Sequence, residues 1–274
     1  MRWRKVLLVF RKDWWEISRN WQVLMPILVV PLLFTVALPA AIIAMPEIVN
    51  IPMTSTGQIM DLIVKNLPVA IQARLSGLSE TQVMIYVMVL YFFAPLFLII
   101  PLMASSVISS DSFAGEKERR TIEALLATPI TDGELFMGKI LVSFVPSMMV
   151  TAISFVLYTA TVDILAYEMF GRLLLPNLGW VMLIFCLAPT VALASIGLTV
   201  MVSSRVRGFR EAQQISVVLI VPVLMLIFAQ AFGALIFGPL VIGALTAAFA
   251  VADLLLFRLG VRLFRRDEIL SQIS

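Results

Sequence analysis

Six long apolar runs limit what this chain can fold into. They lie at residues 22–44, 83–110, 139–161, 179–202, 214–232 and 238–257. Each has roughly the 20 residues that an α-helix needs to cross the ~30 Å hydrocarbon core of a bilayer. Hydrophobic residues make up 61% of the chain and charged residues 14%, whereas soluble domains carry about 25% charged residues. We therefore predict an all-α polytopic membrane protein with six transmembrane helices.

The distribution of basic residues predicts the orientation of these helices. Seventeen of the 20 Lys and Arg residues lie before the first run, around the segment between the second and third, between the fourth and fifth, or after the sixth. Cytoplasmic segments retain positive charge, so both termini are predicted to be cytoplasmic. We expect one transmembrane domain over 1–274 in the plasma membrane, with a cytoplasmic segment at 111–138 and a tail at 258–274.

The residues that the chain lacks exclude several classes of function. It contains no histidine and a single cysteine, which argues against a zinc site, a disulfide framework or a Ser-His nucleophile. The net charge of +3 gives no support for nucleic-acid binding. Asp253 is the acidic residue well inside a run, and the nearby Arg258 favours an ion pair at the membrane interface over an ion-coupling site.

A phosphate-binding loop is suggested by spacing alone and rejected on context. Gly133, Gly138 and Lys139 match the pattern G-x-x-x-x-G-K, but Ile140 follows where a magnesium-binding Ser or Thr is needed. The helix that follows also enters the membrane. We therefore predict no nucleotide site, no cofactor and no catalytic residue in this chain.

The first 21 residues predict an amphipathic helix that lies along the inner leaflet. Apolar residues recur at alternating steps of four and three, which places them on one helical stripe. Tryptophans on such a stripe favour the headgroup layer, and the regular pattern favours a structural lever over a simple topology anchor. The stripe consists of Trp3, Leu7, Phe10, Trp14, Ile17 and Trp21.

The segment between the second and third runs predicts a short helix that docks into another protein. Glu116 and Arg120 have the i,i+4 spacing of a helical ion pair, and Leu125 and Leu126 give the helix an apolar edge. Pro129 ends it. A solvated loop is the alternative interpretation.

A capping box predicts where the third membrane helix begins. Thr131 and Glu134 have the required spacing, in which the Thr hydroxyl and the Glu carboxylate each accept a backbone hydrogen bond from the other residue. The helix is expected to continue through Gly138 and Lys139 into the membrane.

At this segment the sequence resembles the permease subunits of ATP-binding-cassette type-2 exporters. The resemblance covers the whole chain through its six runs, although this motif is its specific part. Arg120 stands where many relatives have Gly, which is a mild departure. The matching positions are Glu116, Lys117, Glu118, Thr121, Glu123, Leu125, Leu126, Thr128, Pro129, Ile130, Glu134, Gly138 and Lys139.

The resemblance implies a type V exporter in which two permease chains, identical or paralogous, sit in membrane lipid on a dimer of separate cytosolic ATPase subunits. ATP and magnesium would be bound by those subunits. The coupling residues would be Glu116, Lys117, Glu118, Arg120, Thr121, Glu123, Leu125, Leu126 and Pro129, and the second and fifth helices would line the path for a hydrophobic or amphipathic drug, peptide or lipid. The candidate path residues are Tyr91, Phe92, Phe93, Phe97, Phe228 and Phe232.

Two other classes of function remain open from the residues. One is a secondary transporter that works without ATP, and the other is a membrane scaffold that recruits a cytosolic partner. The resemblance also disfavours glycan export, because polysaccharide-exporting relatives have re-entrant helices between the fifth and sixth spans and the short connection here has no room for them.

Overall fold

An N-terminal helix and six longer apolar helices form the chain in a computed structural model that describes residues 2–48, 72–73, 75–119, 130–203, 206, 208–231 and 238–263. These residues contain no strand, and the six longer helices are long and apolar enough to cross a membrane. The predicted all-α, six-helix fold is therefore confirmed. The helices are α1, Trp3–Ile17; α2, Trp21–Met45; α3, Glu80–Glu118; α4, Asp132–Phe170; α5, Leu178–Ser203; α6, Phe209–Gln230; and α7, Pro239–Leu263.

Helices α3 and α4 extend well beyond the apolar runs that predicted them. Each has 39 residues, which corresponds to about 58 Å at 1.5 Å per residue. Helix α3 passes without a break through residues 111–118, which the sequence analysis had assigned to a cytoplasmic segment. These polar residues remain helical because they are packed against α1, α4 and α6, so the boundary of an apolar run underestimates the helix.

Proline accounts for much of the irregularity inside the membrane helices. Pro39, Pro95 and Pro189 each follow a π-helical turn by two or three residues. A proline ring clashes with the carbonyl four residues earlier and cannot donate to it, and a wider turn relieves that conflict. The turns are Leu33–Ala37, Met88–Phe92 and Leu183–Leu187, and a fourth, with no proline beside it, covers Asp111–Gly115.

Helix α3 lies at the centre of the bundle, and aromatic side chains of α4 and α5 pack against it. Tyr158 and Trp180 stack with ring centroids 4.7 Å apart, and Phe97 packs edge-on against both. The Tyr158 hydroxyl donates to the Val89 carbonyl at 2.7 Å, and the Trp180 indole donates to the Leu90 carbonyl at 3.0 Å. Both acceptors lie in a π-helical turn, so side chains satisfy backbone groups there.

Helix α1 has two apolar faces, of which the sequence analysis recognised one. The predicted stripe is largely exposed, with Trp3 at 63% and Leu7 at 57% exposure, as a membrane-facing surface requires. An adjacent face packs on α4 and carries the buried residues Val6, Val9 and Asp13, and Ile17 lies between this face and the stripe.

The N-terminal helix ends earlier than the predicted range of residues 1–21. It stops at Ile17, and the Asn20 side chain accepts a hydrogen bond from the Gln22 amide at 3.1 Å, which caps a new helix. Trp21 is therefore the first residue of α2 and does not continue the stripe. Ile17 is buried, because it lies on the face of α1 that turns toward the bundle.

Candidate functional site

Charged side chains are buried where α1, α3 and α4 meet, and we call this group the buried ion cluster. It consists of Lys12, Asp13, Ser112, Glu116 and Lys139. The Lys139 side chain is completely buried, and those of Asp13 and Glu116 are at most 3% exposed. Because an unpaired buried charge costs several kcal/mol, each of these groups requires a partner close by.

Lys139 enters the cluster from the first turns of α4. Its Nζ atom donates to Glu116 Oε2 at 2.5 Å and to the Ser112 carbonyl, and it lies 3.3 Å from Ser112 Oγ. Asp13 Oδ2 is 3.6 Å away. The ammonium also lies 5.3 Å from the centre of the Phe113 ring. Lys139 therefore ties α4 to the end of α3 and to α1.

Glu116 connects the same lysine to α1. Its second oxygen, Oε1, accepts from Lys12 Nζ at 2.5 Å, while Ser112 Oγ donates to Asp13 Oδ2 at 2.9 Å. Burial of Lys12 disfavours its charged form, but the carboxylates of Glu116, Asp13 and Glu16 outweigh it and raise the pKa of Lys12 above its ordinary value. Lys12 is therefore charged at neutral pH, and α1 is joined to α3 by opposite charges.

A second group of polar contacts ties α3 to the connection between α1 and α2. Asp111 Oδ1 accepts from Arg119 Nη1 at 3.0 Å and from Asn20 Nδ2 at 3.1 Å. Partial burial lowers the pKa of Arg119, but the hydrogen bond and charge of Asp111 more than compensate and raise it. The last turns of α3 thus contact the junction between α1 and α2 at Asn20.

The end of α3 also holds the start of α6. Glu118 Oε2 accepts from the Phe209 amide at 2.9 Å, as a carboxylate does at a helix N-terminus. The approach is close, because a Cβ atom on Gly208 would lie 2.6 Å from Glu118 Oε2. Three consecutive turns of α3 therefore contact α1, α4 and α6.

The start of α4 is the predicted capping box. Thr131 Oγ1 accepts from the Glu134 amide at 3.4 Å, and Glu134 Oε2 accepts from the Thr131 amide at 3.2 Å. This prediction is confirmed. Glu134 Oε1 also accepts from the Arg2 amide at 2.7 Å, so the same carboxylate fixes the first residues of α1.

Most of this chain matches a known protein family. A family model described as ABC-2 family transporter protein matches residues 7–259. The chain belongs to the ABC-2 transporter family. A comparison with curated proteins gives no match. The family resemblance drawn from the motif is therefore confirmed, and the protein is a multi-pass membrane component of a transporter and is not itself catalytic. Membership also implies association with an ATP-binding-cassette ATPase.

In this ABC-2 protein the predicted coupling residues have different environments. Glu116 points into the buried ion cluster and pairs with Lys12 and Lys139. Lys117 is half-buried, and Glu118 caps α6. The predicted coupling residues outside the described part of the chain are Arg120, Thr121, Glu123, Leu125, Leu126 and Pro129.

The candidate path residues divide into buried and exposed positions. Phe93 and Phe97 are buried inside the bundle against Tyr158. Tyr91 and Phe92 are half-buried. Phe228 of α6 is 61% exposed, and Phe232 lies outside the described residues. Their role in a substrate path stays a prediction.

The two carboxylates of the buried ion cluster and the exposed carboxylate of Glu16 beside it have a spacing that a metal ion could use. Oxygen atoms of Asp13, Glu16 and Glu116 lie within 4.8 Å of one another. The ammonium groups of Lys12 and Lys139 lie against the same oxygens. The cluster therefore has internal cations that balance these carboxylates, and its chemistry is that of an ionic joint between helices.

The sequence analysis missed Asp13, Asp111 and Ser112. Asp13 could have been found, because it follows Val6 and Val9 at helical spacing on the second face of α1. Asp111 and Ser112 gave no such signal, since the residues of the N-terminal part that they contact, Asn20 and Asp13, lie 91 and 99 residues away in the chain.

Proposed function

We propose that this ABC-2 protein is the transmembrane subunit of an ATP-driven exporter that moves a hydrophobic or amphipathic substrate and is coupled to a dimer of separate cytosolic ATPase subunits. The buried ion cluster at the end of α3 is the observation that carries the proposal. It joins the first residue of the family motif, Glu116, to α1 and α4, and Glu118 of the same motif contacts α6.

The position of α3 supports a transmitting role. The motif residues at 120–129 follow Glu118 and Arg119 directly in the chain. An ATPase that binds them and moves would therefore displace the end of α3. The contacts made there are charge-assisted hydrogen bonds of 2.5–3.0 Å, which are directional and roughly twice as strong as neutral ones. Displacement of this end must therefore carry α1, α4 and α6 with it, or break buried ion pairs.

This arrangement fits a rigid-body change between inward-facing and outward-facing states. Closure of the ATPase dimer on ATP would supply the motion, and α1 would move along the inner leaflet with its exposed tryptophans in the headgroup layer. In the isolated chain, 18% of the apolar stretch of α6 and 6% of that of α7 is buried. Their exposed surfaces are available to a second permease chain and to lipid.

The coupling role is tested in a complex of the chain with its ATPase, reconstituted in vesicles. Replacing both Leu125 and Leu126 by Ala removes the apolar edge of the motif and should abolish the stimulation of ATP hydrolysis by the permease. A matched control replaces Leu173 and Leu178 by Ala, since these residues are 67% and 68% exposed at the opposite end of α4 and α5. The control should keep full stimulation.

Two results would contradict the proposal. Unchanged ATP hydrolysis in the Leu125 and Leu126 variant, with the complex intact, would remove the coupling role. Transport of substrate by the purified permease without any ATPase would favour a secondary transporter. Export direction is measured in the same vesicles, from the side on which ATP is required.

A further inference from the structure

A cavity of about 310 Å³ lies between α4, α5 and α7, away from the predicted path. Its walls are apolar apart from one carboxyl group, that of Asp253. Phe136 and Phe257 form an aromatic wall with ring centroids 5.7 Å apart. Gly197 lets α5 and α7 approach closely, because a Cβ atom there would lie 2.9 Å from Leu256 Cβ. The volume is at the lower limit of the ~300 to 1,000 Å³ typical of small-molecule sites.

The Asp253 carboxyl group lacks a partner in the described part of the chain. Both of its oxygens are buried, and neither has a hydrogen bond there. The ion pair expected with Arg258 is not formed among these residues. Positions five apart on an α-helix point about 140° away from each other, which separates the two side chains, and Arg258 is exposed.

An unpaired carboxylate inside a membrane helix is costly and requires a counter-charge or a proton. The cavity supplies the other features that an organic cation needs. Phe136 and Phe257 offer ring faces to a positive charge, and the remaining walls suit an apolar body. A metal ion would need several oxygen ligands, whereas Asp253 is the one acidic residue of the lining.

We propose that the cavity beside Asp253 is a binding site for a lipid-soluble organic ammonium ion, which enters between α4 and α7 with its positive nitrogen against the carboxylate and its apolar part against Phe136 and Phe257. The site does not depend on the proposed function, because it is defined by binding to the chain itself and its lining residues belong to α4, α5 and α7.

The size and charge of the site favour a free organic cation over a lipid headgroup. A cavity of about 310 Å³ accommodates an amine or quaternary ammonium ion with a small apolar part. A phosphatidylethanolamine headgroup would bring its anionic phosphate toward the Asp253 carboxylate, and like charges repel.

The test measures the melting temperature of the full-length chain in phosphatidylglycerol nanodiscs, whose lipids have no ammonium group. The probe is benzyltrimethylammonium, and its neutral counterpart of the same shape is neopentylbenzene. At tenfold excess over its dissociation constant the cation should raise the melting temperature by about 2–4 °C. The neutral compound should raise it much less. In Asp253→Asn the response to the cation should be lost.

Asp253→Asn also separates a ligand site from a structural carboxylate. Without ligand, this variant should melt at the same temperature as the wild type or higher, because an unpaired buried charge has been removed. The matched control is Asp163→Asn. Asp163 Oδ1 accepts from the Leu174 and Leu175 amides at 2.8 and 3.1 Å, so this variant should melt lower and keep its response to the cation.

Three results would overturn the proposal. The first is an equal response to the cation in wild type and Asp253→Asn. The second is a lower melting temperature of ligand-free Asp253→Asn, which would assign the carboxylate a structural partner. The third is stabilisation of the wild type alone by phosphatidylethanolamine nanodiscs together with loss of the response to benzyltrimethylammonium, which would identify a lipid headgroup as the occupant.

Discussion

Gly138 of α4 faces Val9 of α1 so closely that a Cβ atom on Gly138 would lie 2.8 Å from the Val9 Cβ and Cγ1 atoms and 3.2 Å from the Val6 carbonyl. The Val9 side chain therefore packs directly on the backbone of α4 at this point. The following residue, Lys139, can therefore reach Asp13 of α1 and Glu116 of α3 at once. The glycine sets the distance at which the buried ion cluster can form.

Replacing Gly138 by Ala should push α1 away from α4. Overpacking of this kind costs about 1–3 kcal/mol, and we expect a lower free energy of unfolding together with reduced ATPase stimulation. The control is Gly133→Ala on the same helix, where a Cβ atom would meet nothing within 4 Å. Equal unfolding free energies for the two variants would show that the contact does not restrain α1.

Removing the Lys139 ammonium should be the most damaging change in the buried ion cluster. Lys139→Met leaves Glu116 and Asp13 without their buried counter-charge, at a cost of about 3–5 kcal/mol. The Lys12→Met variant should lose less, because that side chain is 36% exposed and water replaces part of the interaction.

A double variant distinguishes lost charge balance from lost packing. Glu116→Gln combined with Lys139→Met removes both members of the pair. The free energy of unfolding of this double variant should therefore be higher than that of Lys139→Met alone. The double-mutant cycle is measured by unfolding in denaturing detergent. Additive losses would contradict direct coupling between the two residues.

Glu118 and Gly208 should act as one unit at the start of α6. Glu118→Ala removes the acceptor of the Phe209 amide, and Gly208→Ala forces the same carboxylate away. Each should cost about 0.5–2 kcal/mol, as the loss of a helix cap does, and the double variant should cost no more than either single variant. Hydrogen exchange at the Phe209 amide reports the effect, and protection that survives in both single variants would rule it out.

The Tyr158 hydroxyl should contribute to the stability of the bundle through the π-helical turn of α3. Tyr158→Phe leaves the Val89 carbonyl without this donor, and we expect a loss of about 1–3 kcal/mol for a buried acceptor. Tyr167→Phe is the control, since Tyr167 is 53% exposed on the same helix. The two melting temperatures are compared in nanodiscs. A loss of the same size in both would point to a general effect of removing a hydroxyl.

The exposed face of α1 should lie in the lipid headgroup layer. In chains that retain a single tryptophan, brominated lipids should quench Trp3 and Trp14 strongly and Trp180 weakly, because Trp180 is 2% exposed inside the bundle. Quenching depends on contact with lipid, so a weak effect at Trp3 and Trp14 would place this face against protein or water.

Sequence patterns were sufficient for features that depend on neighbouring residues. The six helices follow from the length and polarity of their runs, the start of α4 from the spacing of Thr131 and Glu134, and the family from a motif within 24 residues. These features are local, because a helix forms its hydrogen bonds four residues apart and a bilayer selects apolar segments of fixed length.

The buried ion cluster depended on tertiary structure. Glu116 lies beside Lys12 and Lys139, which are 104 and 23 residues away in the chain. The sequence offers several cations to this carboxylate and does not rank them. Packing of α1 on α4 at Gly138 brings these two lysines to it.

Asp253 shows the same division. The sequence by itself determined that this carboxyl group lies within an apolar helix, since that follows from its neighbours in the chain. Its isolation from Arg258 follows from their five-residue spacing on one helix, whereas its position in a cavity with Phe136 was decided by how α7 packs on α4 and α5. A charged side chain in water can pair with several residues of its own helix. A buried one pairs only with groups that the packed helices bring within a few ångströms.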